Sequence, residues 1–533
     1  MLSPPADSSE YFGTPAMLSE GSVGAELGRA AAETPAGVAL RWLTPHGSAA
    51  MSWIQLYRRA IGAARLLRAL DPGLGRVALI ADNSVDWVVA MFGCALAGRT
   101  AVPIGTGSTD AEVKHMLTVA RATTVLVSER RGGDAVLARI SVVAQQLPQS
   151  PRVRELREVT SAEGEGGESD RIDAGEEFLL QFTSGTTGVQ KAAVLSHRTA
   201  LNCARYYVEA LGAGPGETWL NPLPLYHVGG SVAGVLVALA HRGSFTVLER
   251  FSPQVALRVL REIRPALVGL VPTMIIDLLG SPGVSAADFD SVRLVIGGAT
   301  AVDPGLIADM ETRLGITFLV AYGQSEAPTM TVSRPDDTIS VRTRTLGRCL
   351  PGRDYRIVDE KGVTVPLGRV GELHVRGPLT MTGYLRPDGT LDSALDAEGW
   401  RNTGDLCSMS AEGILTFHSR LREMIIRGGL NVFPAEVEAV IAAHETVAEV
   451  SVFGVPDSRL GERVVAAVLP AAGAEIEWDE VLGLTRARLS RYKQPSEWIV
   501  ATSVPRTSTG KIRKHQLRSR YEDGSLGERY DGG

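Results

Sequence analysis

Cysteine is scarce in this chain. Cys94, Cys203, Cys349 and Cys407 are the four among 533 residues, far apart and without a CxxC pair. Such spacing excludes a zinc cluster and a disulfide framework, so the four are expected as reduced thiols in a cytoplasmic protein. Long apolar runs are missing too. The longest, such as VAGVLVALA at 232–240, fall well short of the ~20 residues of a membrane crossing and read as buried core helices. The opening MLSPPADSSEYFGTPAM has neither a basic start nor an apolar stretch, which excludes a secretory signal and predicts a disordered segment over 1–20. Strong charge is also absent. A net charge of -6 offers no general attraction to nucleic acid or an anionic membrane, so any phosphate site must be local.

What is present is apolar sequence in quantity, 44% hydrophobic against 21% charged, enough for a substantial core and, at this length, at least two domains. Ser52 is a plausible N-cap for a helix through Leu67, stopped by Asp71-Pro-Gly, and RVALIA then reads as a buried strand. Ser84 opens a second helix to Ala97, and strands follow near 101–104 and 123–128. This αβαβ order predicts an α/β fold with a parallel sheet, helices on both faces and ligands at the strand ends. The acidic, glycine-rich stretch 162–177 reads as a solvated connector. Short alternating runs with glycine turns over about 351–417 predict a small β-barrel-like subdomain. A compact α+β domain follows, with a helix from Pro434 and a basic tail.

Chemistry concentrates in FLLQFTSGTTGVQKAAVLSH, where a strand runs into Thr183, Ser184, Gly185, Thr186, Thr187 and Gly188, then Lys191. Glycines admit backbone N–H groups close to an anion, hydroxyls add donors, and the ammonium supplies countercharge for a polyphosphate. It is not a Walker loop, because the lysine comes three residues after Gly188 and leads into AAVL. Alone, the stretch also reads as a Ser/Thr-rich turn. Its companions are LPLYHVGG at 223–230, IGGAT at 296–300, YGQSE at 322–326, GELHVRGP at 371–378, WRNTGD at 400–405, SRLREMIIRGGLNVFPAEVE from Ser419 and PRTSTGKIRK ending at Lys514.

In this order the motifs resemble the adenylate-forming superfamily, which includes acyl-CoA synthetases, firefly luciferase and the adenylation domains of nonribosomal peptide synthetases. The resemblance implies ATP bound by the 183–188 loop and Lys191, by Gly298, Ala299 and Thr300, by Tyr322, Gly323, Gln324 and Ser325, and by Asp405, Arg420 and Lys511. Glu326 and Thr186 would hold Mg2+, a hard ion suited to oxygen ligands beside phosphates. Tyr322 would stack on adenine, and Gly297 and Gly298 would let the nucleotide lie close to the backbone. Asp405, acceptor-only when ionised, suits ribose hydroxyls. His227 would be the gate near an acyl pocket formed with Val228, Gly229, Gly297 and Gly298. Lys511 would stabilise charge that grows as a carboxylate attacks the α-phosphorus. Arg513 and Lys514 fit a solvated basic tail better.

The same resemblance implies a large N-terminal domain over 21–420, a hinge at 421–422 pivoting on Arg422, and a small mobile C-terminal domain over 423–533. Gln190 where proline is usual and Ala192 where glycine is usual depart from the pattern and bear on the loop's mobility. Gly428 and Gly429 resemble the turn lining a pantetheine tunnel, which points to coenzyme A as acceptor and an acyl-CoA synthetase. A carrier protein, an amine or an unusual oxyacid stays open, as do a homodimer and a non-catalytic acyl or nucleotide sensor. The pocket's small and apolar lining implies a small-molecule hydrophobic carboxylic acid of modest size.

Overall fold

The computed structural model describes residues 8–13, 17–73, 75–128, 134–165, 172–183, 190–298, 304–506 and 512–530. They fall into two compact units, a larger one of Tyr11–Tyr355 with Val375–Arg401 and a smaller one of Met1–Glu10, Arg356–His374 and Asn402–Gly533.

In the larger unit the helix Trp53–Leu70 starts at Ser52, whose hydroxyl and Gln55 form a reciprocal capping box. Helix Val85–Ala97 is capped by Ser84 and closed by Gly98 at φ +70°. The two helices pack on each other, and Val85–Ala97 lies on a sheet whose order is Leu391–Asp392, Gly383–Leu385, Lys191–Ser196, Glu177–Thr183, Ala101–Ile104, Arg76–Ile80, Ala122–Val127 and Arg152–Glu155. From Glu177–Thr183 to Arg152–Glu155 the strands run parallel, as the αβαβ order predicts. The expectation of a parallel sheet fails at the other end. Lys191–Ser196 and the two strands beyond it pair antiparallel, because the short connection at 184–190 leaves no room for a helical crossover.

A second sheet of this unit carries Leu294–Gly298 between Leu267–Gly269 and Thr317–Tyr322, all parallel. The apolar run at 232–240 is buried as expected, but it is not a plain α-helix. Ser231–Leu236 winds as a π-helix before Val237–Ala240. Asn221 Nδ2 donates to Gly229 O and Ala233 O, and Ser231 Oγ donates to His227 O. These side chains compete for carbonyls that an α-helical ladder uses.

Two expectations about the connecting segments need correction. Ala162, Glu163 and Glu165 are exposed, yet Gly164 is buried and its N–H donates to Arg58 O at 2.9 Å. A Cβ there would come within 2.5 Å of Ile61 Cγ2, so close packing fixes that glycine. Nor are the described residues before position 21 loose. Ser9 N donates to Val365 O at 2.9 Å and its hydroxyl to Pro366 O, while Met17 O accepts from Tyr206 Oη.

The smaller unit has antiparallel strands that include Ile414–Arg420 and a C-terminal sheet built on Val447–Asp457, Gly461–Pro470 and Glu497–Ala501. Helices Pro434–Ile441, Trp478–Arg488 and Lys514–Glu522 accompany it, and Trp478 stacks on Tyr530 at 4.0 Å. All four cysteines are buried free thiols. No described helix is long and apolar enough to cross a membrane.

Candidate active site

Strand pairing in the larger unit puts a cation, a phenol and a carboxylate in line. Thr183 ends one strand, and Lys191 opens the next directly opposite it. On the neighbouring strand Tyr384 pairs with Ala193, and Lys191 Nζ lies 4.9 Å from the Tyr384 ring centroid. Tyr384 Oη donates to Glu326 Oε1 at 2.8 Å. Burial and the Glu326 charge hold this phenol well above the usual tyrosine range. Tyr384 is a residue that the motif reading missed, although it lies six residues beyond GELHVRGP.

The YGQSE segment leaves the strand Thr317–Tyr322 and turns tightly. Gln324 and Ala327 exchange backbone hydrogen bonds at 3.0 and 3.2 Å, and Gln324 Nε2 donates to Tyr322 Oη at 3.4 Å. Gly323 has a steric reason, since a Cβ would come within 2.4 Å of Thr329 N. The same holds for the glycines read as room for a nucleotide. A Cβ on Gly298 would meet Ala321 O at 1.9 Å and one on Gly297 would meet Phe318 Cζ at 2.5 Å. Close packing between strands is therefore enough to require both.

The segment beneath this turn is clamped by Arg353, also missed in the sequence. Its buried guanidinium donates to Thr329 O, Pro328 O and Leu379 O at 3.0, 2.6 and 2.7 Å, and to Cys203 Sγ at 2.8 Å. Each of these acceptors is at least 24 residues away in sequence, so no local pattern announces the clamp.

His227 caps the short helix Val228–Gly230, and its Nδ1 accepts the Gly229 N–H at 3.1 Å, which leaves the ring proton on Nε2 in the neutral form. Gln181 Nε2 donates to Tyr226 O at 2.9 Å, tying the His227 segment to the strand that precedes the loop. Val228 is buried, and a Cβ on Gly229 would meet Leu223 Cδ1 at 2.9 Å. Of the two departures, Gln190 has its carbonyl 2.9 Å from His115 Nε2, and Ala192 is fully buried opposite Phe182.

The remaining expected residues lie in the smaller unit. Asp405 stands opposite Arg420 across two antiparallel strands, with Oδ1 3.5 Å from Arg420 Nε. Arg422 lies in the 3-10 turn Leu421–Glu423, where burial and then the Arg420 charge pull its pKa below the usual arginine range. Gly428 and Gly429, at φ +59° and +77°, form the two-residue turn of a hairpin, a type I′ geometry that explains both glycines. Lys514 corrects the reading of a solvated tail. Its Nζ lies 2.7 Å from Glu438, 3.4 Å from Glu423 and 3.2 Å from Val452 O. Ser184, Gly185, Thr186, Thr187, Gly188, Ala299, Thr300 and Lys511 lie outside the described residues.

Known proteins share both the sequence and the fold. The AMP-binding enzyme family matches residues 27–385, and the AMP-binding enzyme C-terminal domain matches 436–511. Feruloyl-CoA synthase of an Amycolatopsis species is 32% identical over 480 residues, covering 89% of this chain and 95% of its own. Indoleacetate–CoA ligase of Aromatoleum aromaticum is 31% identical over 449 residues, covering 83% and 87%. The crystal structure of ATP-bound MatB from Rhodopseudomonas palustris superimposes with a TM-score of 0.86 at 28% identity, covering 94% of this chain and 99% of MatB. The amide bond synthetase McbA of Marinactinospora thermotolerans gives 0.82 at 27%, covering 93% and 99%. On these matches the chain belongs to the AMP-binding enzyme family, as an adenylate-forming acyl-CoA synthetase.

Proposed function

We propose that the chain activates a hydrophobic, ring-bearing carboxylic acid with ATP and passes the acyl group from its adenylate to coenzyme A. The named relatives that act on feruloyl and indoleacetate groups support a ring-bearing acid. In the first step an acid oxygen attacks the α-phosphorus and pyrophosphate leaves. In the second the coenzyme A thiol attacks the acyl carbonyl and AMP leaves.

The observation that carries this reading is the Lys191–Tyr384–Glu326 line at the strand ends that flank 184–190. Glu326 fits a cation ligand, because Tyr384 occupies Oε1 while Oε2 takes no hydrogen bond from a described residue. With Thr186 it would hold Mg2+, which supplies Lewis-acid stabilisation of phosphoryl oxygens. Lys191 would pair with the outer phosphates, Asp405 would accept from the ribose and Arg420 would position it. Lys511 would stabilise the adenylation transition state. Arg422 would be the pivot between the two steps, and Gly428–Gly429 would admit the pantetheine arm.

The test is AMP release from ATP with ring-bearing acids, with and without coenzyme A. Release that needs both acid and coenzyme A is expected. Release only with an amine would favour the second reading, which the fold match to an amide bond synthetase supports, and overturn the thiol acceptor. Lys511→Ala should lower acid-dependent pyrophosphate exchange by at least ~100-fold, as loss of a preorganised electrostatic group does. Thioester formation from supplied acyl-AMP should persist. Equal loss of both steps would refute that assignment.

A further inference from the structure

Arg401 is a poorly satisfied charge beside the Lys191–Tyr384–Glu326 line. It follows Trp400 and is 3% exposed. Nη2 donates to Met381 O at 3.0 Å. Nε and Nη1 are sealed from solvent and find no hydrogen-bond partner among the described residues. Burial pulls the guanidinium below the usual arginine range, against the charges of Tyr384, Glu326 and Asp392. Two unmatched donors on a buried cation are costly, and each such group in a folded chain calls for an explanation.

Acceptors for the two donors stand close by. Met381 accepts from Arg401 with its carbonyl and donates from its N–H to Glu326 O at 2.7 Å. One residue thus ties the guanidinium to the backbone of the carboxylate. Glu326 Oε2 takes no hydrogen bond from a described residue, and Tyr384 Oη, which donates to Oε1, can still accept.

Resting on the reading of Glu326 as a cation ligand, we propose that Arg401 is a positioning residue for the Glu326–Tyr384 pair. Its guanidinium holds the pair in the geometry that receives a Mg2+-nucleotide, and the Tyr384 oxygen and Glu326 carboxylate take up its spare N–H groups as the nucleotide docks. Arg401 acts through these two side chains and touches neither substrate nor metal.

The test is calorimetric titration of the full chain with ATP, in Mg2+ and again in excess chelator, with no acid present so that nothing turns over. Arg401→Met should weaken Mg2+-ATP binding by about 10-fold, the scale of losing an outer-shell partner of a metal ligand. Metal-free ATP binding should stay within about 2-fold, and the melting midpoint should hold or rise because an unmatched buried charge is gone. Arg401→Lys, which keeps the charge and part of the donor set, should fall between and is the variant titrated if the methionine form does not fold. Equal weakening with and without Mg2+, or a lowered midpoint with both affinities reduced, would overturn the proposal, as would no weakening at all. Glu326→Gln separates the two readings. If it leaves the Mg2+ dependence intact, the role of Glu326 fails; if it abolishes that dependence while Arg401→Met does not alter it, only the role of Arg401 falls.

Discussion

His197 shows how burial alone sets the charge of a single residue. It is 1% exposed, and its Nδ1 accepts the Val23 N–H at 3.2 Å. Burial pulls its pKa from 6.5 to about 4. The fold therefore holds the ring neutral, while an unfolded chain takes up a proton below about pH 6.5. Stability from this group is complete above pH 6.5, declines as pH falls toward 4 and changes no further below that. The full loss is ~3 kcal/mol. His197→Asn keeps an acceptor for Val23 and removes the proton site. Its melting midpoint should fall less than that of the parent protein between pH 7 and 5, measured calorimetrically at about equal ionic strength. Parallel pH profiles would show that His197 does not carry the dependence.

At the scale of an element, the turn that presents Glu326 is anchored by a buried cation through the carbonyls of Pro328 and Thr329. Thr329 sits at φ +46°, a conformation that costs a β-branched residue ~1–3 kcal/mol unless its surroundings enforce it. Arg353 enforces it through Thr329 O and Pro328 O, and Thr329 Oγ1 donates to Cys203 O at 3.2 Å. Arg353→Met strands those carbonyls in the interior, so it should destabilise the larger unit by ~3 kcal/mol or more in urea unfolding. A change under ~1 kcal/mol would mean the carbonyls find other donors. Helix starts at Ser52 and Ser84 were legible because a cap and its helix are neighbours in sequence. Arg353 and Tyr384 were not, because their partners lie tens of residues away and no period in the sequence encodes them. The Asp405–Arg420 pair lies between, with both residues named by motif and their register set only by strand pairing.

For the whole molecule, the smaller unit gathers Arg356–His374 and Asn402–Gly533, and within it the apolar pattern after Arg420 forms clusters of its own. Among the described residues, two apolar clusters of the C-terminal sheet, one around Val452 and Val464, the other around Phe453 and Leu517, draw only on positions after 424. Such a sheet can melt as its own cooperative unit. Lys514 secures it against the Glu423 turn and the Glu438 helix. Burial disfavours its charge, but the two carboxylates outweigh burial and hold the ammonium above the usual lysine range, so it stays charged through neutral pH. Lys514→Met would leave Glu438 and Glu423 unbalanced, and because all three side chains are only partly buried the loss is roughly 1–2 kcal/mol, below that of a fully buried pair. For a sheet of this size that lowers its transition by roughly 5–10 °C. Scanning calorimetry should show that fall in one transition while the transition lowered by Arg353→Met stays in place. If both variants instead shift a single common transition, the C-terminal sheet has no independent stability and the two units fold as one.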